Sequence, residues 1–189
     1  DLVVTGVQTC ALPILAEQGG DGLPLEGAIA INAPLDLAAS ADTLNQGFSR
    51  LYQRYLLRQL KRKVLTRLRT TPLPLTISAQ QIRQLDSFWA YDNEVTAPLH
   101  GFRSASDYYR RASAGPLLGE IELPTLILHA DDDPFMPPDL FARLPAPSPS
   151  VRVEIARHGG HVGYVERRGG RLGPWLTRRI EAQIGRAHV

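Results

Sequence analysis

The sequence holds one cysteine, Cys10, in 189 residues. That excludes any intramolecular disulfide and any cysteine-based zinc cluster, and it fits a reducing cytoplasm. No stretch approaches the ~18 uninterrupted apolar residues of a membrane span, because charged side chains break every helical segment. Internal repeats and low-complexity linkers are missing too. The formal net charge is only +2, too small to argue for nucleic acid. What is present is 43% apolar, enough for one globular domain with a real core.

The two ends stand apart from the rest. Asp1 to Ile14 lacks the basic n-region of a secretory signal, and Thr5 to Cys10 breaks its hydrophobic segment. Ile184-Gly-Arg-Ala-His-Val189 back-translates to ATC GGA AGA GCA CAC GTC. Its reverse complement, shifted by one base, reads ACG TGT GCT CTT CCG AT, the codons of Thr9-Cys-Ala-Leu-Pro-Ile14. Two ends that encode each other resemble translated sequencing-adapter DNA around an insert. Residues 1–14 and 184–189 are therefore expected to be non-native, with a partial domain over 15–183.

Within that domain, Leu15 to Gly20 reads as the last turn of a helix with a glycine cap. Leu25 to Ala33, closed by Pro34, and Thr125 to Leu128 are apolar runs without polar alternation, the pattern of strands buried in a parallel sheet. Val151 to Ile155 is a third strand. From Asp36 to about Gly119 no sheet-like run occurs. Leu51, Tyr55, Leu56, Leu60, Val64 and Leu68 recur at helical spacing, predicting an amphipathic helix over Arg50 to Arg69. Its other face carries Arg54, Arg58, Lys61, Arg62, Lys63 and Arg67 with no acid nearby. That face is a solvated helix surface or a surface for anionic lipid head groups or partners; the near-neutral whole favours the first. Shorter helices are expected at Ile77 to Asp86, at Asp107 to Ser113 behind a Ser104 or Ser106 cap, and at Pro174 to Gln183. The aromatic segment Phe88 to Phe102 suits either a ligand pocket or simple packing, and His100 within it reads as structural.

Chemistry gathers after the last two strands. Asp131, Asp132 and Asp133 follow the strand at Thr125 to Leu128, and a turn with two histidines, Arg157-His-Gly-Gly-His-Val-Gly-Tyr164, follows the next. Open α/β sheets place their ligands at such strand ends. An acid after one strand and a histidine after the next is the order of the second half of a Ser…Asp…His hydrolase. Ala130-x-x-Asp133-x-x-x-Pro137 favours Asp133 as the acid, with Asp132 a second choice. His161, behind Gly159-Gly160, is the expected base; His158 and His129 read as structural. Three adjacent aspartates also suit a metal, but no second ligand cluster accompanies them, so neither metal nor cofactor is expected.

Five segments in order resemble the YheT-like branch of the α/β-hydrolase superfamily: Asn32-Ala-Pro-Leu-Asp36, Tyr91 to Phe102, Asp107-Tyr-Tyr109 with Ser113, Pro124 to Phe135, and Gly159-Gly-His-Val-Gly-Tyr164. The resemblance implies an α/β fold with flanking helices, and a helical lid inserted over about 36–119. It further implies carboxylesterase-type serine hydrolysis of a small-molecule ester or acyl lipid. Asp133 and His161 fall at the family's acid and base positions, with Phe135 and Tyr164 beside them as pocket candidates.

The departure from the pattern is the nucleophile. No G-x-S-x-G elbow occurs; Gly47-Phe-Ser49-Arg-Leu51 imitates its first half, but Leu51 replaces the glycine and the segment follows the first strand. Ser49 is read as a decoy near a helix start. Dehalogenase-like relatives use aspartate at the missing position, so the nucleophile's identity stays open. The expectation is an inactive fragment with an unpaired edge strand, prone to aggregate.

Overall fold

A computed structural model describes residues 12, 16, 26–168 and 171–187. In chain order it comprises β1 (Ala28–Ile31), helices α1 (Leu37–Leu44), α2 (Ser49–Arg67), α3 (Ala79–Gln84), α4 (Phe88–Tyr91), α5 (Ala97–Leu99) and α6 (Ala105–Ala112), β2 (Thr125–Ala130), α7 (Leu140–Arg143), β3 (Val151–Ala156), β4 (Val165–Arg168), β5 (Arg171–Pro174) and α8 (Trp175–Ala187). A π turn, Asp92–Thr96, joins α4 to α5, and a 3-10 turn spans Gly115–Glu120. The helix end expected over 15–20 and most of 1–14 lie outside the described residues. The chain divides into two units, one of Asp1–Leu35, Ala114–Asp133 and Pro138–Val189, the other of Asp36–Ser113 and Pro134–Pro137.

The first unit holds the three expected strands as a parallel sheet, in the order β1-β2-β3. Ile29 lies opposite Leu126, and Ile127 opposite Val153. Every residue of β2 is buried, because the strand is paired on both sides and carries apolar side chains on both faces. β1 is half-buried at a sheet edge. On the other side, α8 is tied to β3 by the Arg179 guanidinium, which donates to both carboxylate oxygens of Glu154 at 2.8 and 2.7 Å. The antiparallel hairpin β4–β5 was not expected. Pro174 belongs to it, opposite Val165, so α8 starts at Trp175.

Among its described residues the regular elements of the second unit are all helices, joined by turns and irregular segments. Its main cluster is Leu57, Val64, Ile82, Tyr91 and Val95, with Leu60, Leu65 and Leu68 packed against it. Here the expected inner face of α2 is only half right. Leu51 and Tyr55 point outward, 53% and 62% exposed, while Gln53 is 1% exposed. The reason is hydrogen bonding. Gln53 Nε2 donates to Asn45 Oδ1 at 3.0 Å and its Oε1 accepts from the Phe88 amide at 3.2 Å, so the polar side chain is satisfied inside. Leu51 and Tyr55, each two residues away, are thereby turned roughly 200° round the helix.

Capping follows the sequence closely. Ser104 Oγ accepts from the Asp107 amide at 3.1 Å, and Ser78 with Gln81 forms a capping box at α3. The aromatics pack among themselves: the Trp89 and Tyr109 rings meet edge-on at 4.6 Å, and Tyr109 Oη donates to Asp92 at 2.6 Å. Burial pushes the Asp92 carboxyl up, with Thr96 and Tyr109 pulling against it. His100 is exposed at the end of α5. Ser49 opens α2, and its hydroxyl donates to the Pro134 carbonyl at 2.7 Å.

Candidate active site

The site lies at the carboxyl edge of the parallel sheet, within the first unit. β2 runs one hydrogen bond past its end, the Asp131 amide donating to Ala156 O at 2.9 Å, and the chain then turns as the Asp133 amide donates back to Ala130 O at 3.1 Å. That turn separates the three aspartates. Asp131 faces solvent. Asp132 Oδ1 accepts from the Gly159 and Gly160 amides, both at 2.8 Å, and its Oδ2 lies 3.4 Å from Nδ1 of the exposed His158. The Gly160 amide, aided by that of Gly159 and by His158, holds the Asp132 carboxyl below the ordinary carboxylate range.

Asp133 turns inward. Its side chain is fully buried, and Oδ2 lies 3.1 Å from Nδ1 of His161, whose ring is 21% exposed. A buried carboxylate demands such a partner. It also fixes the imidazole: with Nδ1 facing the acid, Nε2 is left as the proton-accepting nitrogen. The structure therefore brings together the two residues that chain order and spacing single out, and separates Asp132 from them. His129, on β2, is buried with its ring edge-on to Phe141 at 5.1 Å; burial draws its imidazole below the ordinary range, against the pull of Asp133 and Asp131.

The glycines of the histidine turn are needed where they stand. Gly160 has φ +52°, in the left-handed region, and a Cβ on Gly159 would meet the Tyr164 ring at 2.5 Å. Tyr164 is 4% exposed; its ring stacks on Trp175 with centroids 5.4 Å apart, and its hydroxyl donates to Asn32 Oδ1. Phe135 belongs to the helical unit, where its ring meets Tyr52 edge-on at 5.3 Å, and Tyr52 in turn meets Phe48. Sequence reasoning gave no role to Asn32, a fully buried amide just past β1 that contacts the histidine turn. The available clue was one polar residue closing an otherwise apolar run. Among the described residues no group of three or more His, Cys, Asp or Glu is placed to hold a metal ion.

A family model described as alpha/beta hydrolase fold matches residues 32–167, which take in β2, β3, the helical unit and both loops of the site. The chain belongs to the α/β-hydrolase fold family. Within it the chain is YheT-like: a candidate esterase of Escherichia coli K12, YheT, is 39% identical over 181 residues, 90% of this chain and 52% of that protein. A candidate esterase of Synechocystis, slr0264, is 35% identical, covering 74% of this chain and 38% of its own length. The monoacylglycerol lipase of Saccharomyces cerevisiae is 31% identical over 80% of this chain and 35% of its own. The chain spans about half the length of YheT and little more than a third of the other two.

Proposed function

We propose that Asp133 and His161 are the acid and base of a serine-type ester hydrolase whose nucleophile lies outside these 189 residues. The observation that carries this reading is the 3.1 Å approach of Asp133 Oδ2 to His161 Nδ1 across the loops that follow two adjacent parallel strands. In the parent protein His161 Nε2 takes the proton of the nucleophilic hydroxyl, the hydroxyl oxygen attacks the ester carbonyl, and the alcohol leaves with that proton. Water, deprotonated by the same imidazole, then releases the acid from the acyl-enzyme. Asp133 holds the ring and stabilises its charged form. The substrate is a small-molecule ester or acyl lipid, the lid is the helical insertion over about 36–119, and Phe135 supplies apolar pocket surface.

Two experiments test the reading. A fluorophosphonate probe, which labels activated serines, is expected to leave this chain unmodified; labelling of Ser49 would overturn the view that its hydroxyl is structural. In the protein extended by its upstream reading frame, esterase turnover should fall by roughly 10⁴ in Asp133→Asn. Turnover that survives both Asp133→Asn and His161→Ala would sink the assignment.

A second reading rests on an uneven distribution of charge. Residues 43–85 contain nine Lys and Arg and no Asp or Glu, so the net +2 combines +9 there with −7 elsewhere. Beside these cations Phe48, Leu51 and Tyr55 stand 72%, 53% and 62% exposed. Basic and aromatic side chains on one helix favour docking on an anionic lipid surface. No helix among the described residues is long and apolar enough to cross a membrane. Lys61 is already engaged, donating to the carbonyls of Arg83 and Leu85. The useful variants are therefore Arg54→Gln, Arg58→Gln and Arg62→Gln together. Binding to vesicles containing phosphatidylglycerol that the triple variant loses supports this reading; equal binding to phosphatidylcholine vesicles, or none at low salt, refutes it.

A further inference from the structure

We infer that Asn32 is a positioning residue for the base: it holds the backbone of the histidine turn so that the His161 ring meets Asp133. The inference rests on the acid and base roles proposed above. Asn32 follows β1, and its amide donates to Leu128 O at 2.8 Å, extending the β1–β2 ladder by one residue. Its φ is +45°, the only positive value at a described non-glycine residue. Asparagine tolerates that conformation better than other side chains. The backbone geometry turns the side chain toward a neighbouring loop instead of along the strand.

All three polar contacts of that side chain go to the histidine turn. Nδ2 donates to Gly160 O at 2.6 Å and to His161 O at 2.5 Å, and Oδ1 accepts from Tyr164 Oη. The amide orientation is fixed by its surroundings, since a flipped Asn32 would set its oxygen against two carbonyl oxygens. Both Nδ2 protons are used and the residue is 0% exposed, so no water competes. From the other side Asp132 accepts the Gly159 and Gly160 amides. The turn is thus gripped by its carbonyls from Asn32 and by its amides from Asp132. The residue whose carbonyl Asn32 holds is the one whose ring faces the acid.

A wrongly placed imidazole costs catalysis even when the fold survives, which separates a positioning role from mere stability. Two substitutions isolate the amide. Asn32→Asp keeps the shape and the acceptor for Tyr164 but sets a carboxylate against the two carbonyls. Asn32→Gly suits φ +45° and removes all three contacts. Tyr164→Phe removes only the Oδ1 contact and leaves both carbonyls held.

The test reads the His161 Nδ1 proton by NMR in the full 189-residue chain labelled with ¹⁵N-histidine, and needs no turnover. A downfield Nδ1–H resonance is expected, lost in His161→Ala and in Asp133→Asn. If the native resonance is missing, or persists in Asp133→Asn, the acid–base reading fails and this inference falls with it. With the resonance established, Asn32→Gly and Asn32→Asp are each expected to abolish it or to speed its solvent exchange by roughly tenfold or more, while Tyr164→Phe retains it. A folded Asn32→Gly chain with an unchanged resonance would overturn the positioning role alone. Should Asn32→Asp fail to fold, Asn32→Gly decides.

Discussion

Asp133 Oδ2 lies 3.1 Å from Nδ1 of His161, while the adjacent Asp132 turns its carboxylate to the amides of Gly159 and Gly160. One residue of chain thus separates two tasks, orienting a ring and holding a loop. In the extended protein, Asp133→Asn is expected to lower kcat with little change in KM, since a mis-oriented imidazole affects the chemical step. Asp132→Asn still accepts hydrogen bonds from the two glycine amides. Its turnover should fall far less, and a kinetic comparison that ranks the two the other way would exchange their roles.

The ease with which the sequence yields this pair has a physical basis. Burial in the middle of a parallel sheet leaves Thr125 to Leu128 as an apolar run, and the acids just beyond the strand have nowhere to go but its carboxyl edge. The β4–β5 hairpin was harder to see. Val165, Arg167, Arg171, Leu172 and Pro174 of its strands are exposed, so it lacks the alternation that marks a half-buried strand. Asn32 was hidden for the opposite reason. Its role depends on contacts 128 and more residues away along the chain, which no local pattern records.

The outward turn of α2 is testable by stability. Leu57→Ala, at a site 2% exposed, should cost about 2–5 kcal/mol in denaturant unfolding, whereas Leu51→Ala should stay within about 0.5 kcal/mol. Spacing places Leu51 on the inner face and passes over Leu57, because it counts apolar residues while Gln53 sets the helix face through hydrogen bonds. Gln53→Leu should destabilise by about 1–3 kcal/mol despite adding apolar surface, since it leaves the part-buried Phe88 amide without its acceptor. A stabilised Gln53→Leu chain would contradict that account.

Gly159→Ala should be costly for reasons of space. The new Cβ would stand 2.5 and 2.7 Å from two atoms of the Tyr164 ring and 3.0 Å from Ala130 Cβ. The ring cannot retreat easily, stacked on Trp175 and tethered to Asn32. Overpacking of this kind costs about 1–3 kcal/mol. Thermal unfolding measures it, and in a Tyr164→Ala background, which opens the space, Gly159→Ala should cost less than it does in the parent chain.

His129 gives the fold a pH dependence of its own. Burial among β2, Phe141 and the neighbouring strands disfavours the imidazolium, so the folded protein binds that proton less readily than the unfolded chain. Asp133 and Asp131 pull in the opposite sense and His161 reinforces the effect, with burial dominant. As pH falls through about 6.5, the unfolded chain takes up the proton first. The stability associated with neutral His129 is complete above that pH and declines progressively below it, until the folded state protonates as well. His129→Leu removes the titration while keeping an apolar side chain beside Phe141. Unfolding free energies measured between pH 7 and pH 5 should therefore fall less steeply in His129→Leu than in the native chain; parallel slopes would show that His129 does not set this dependence.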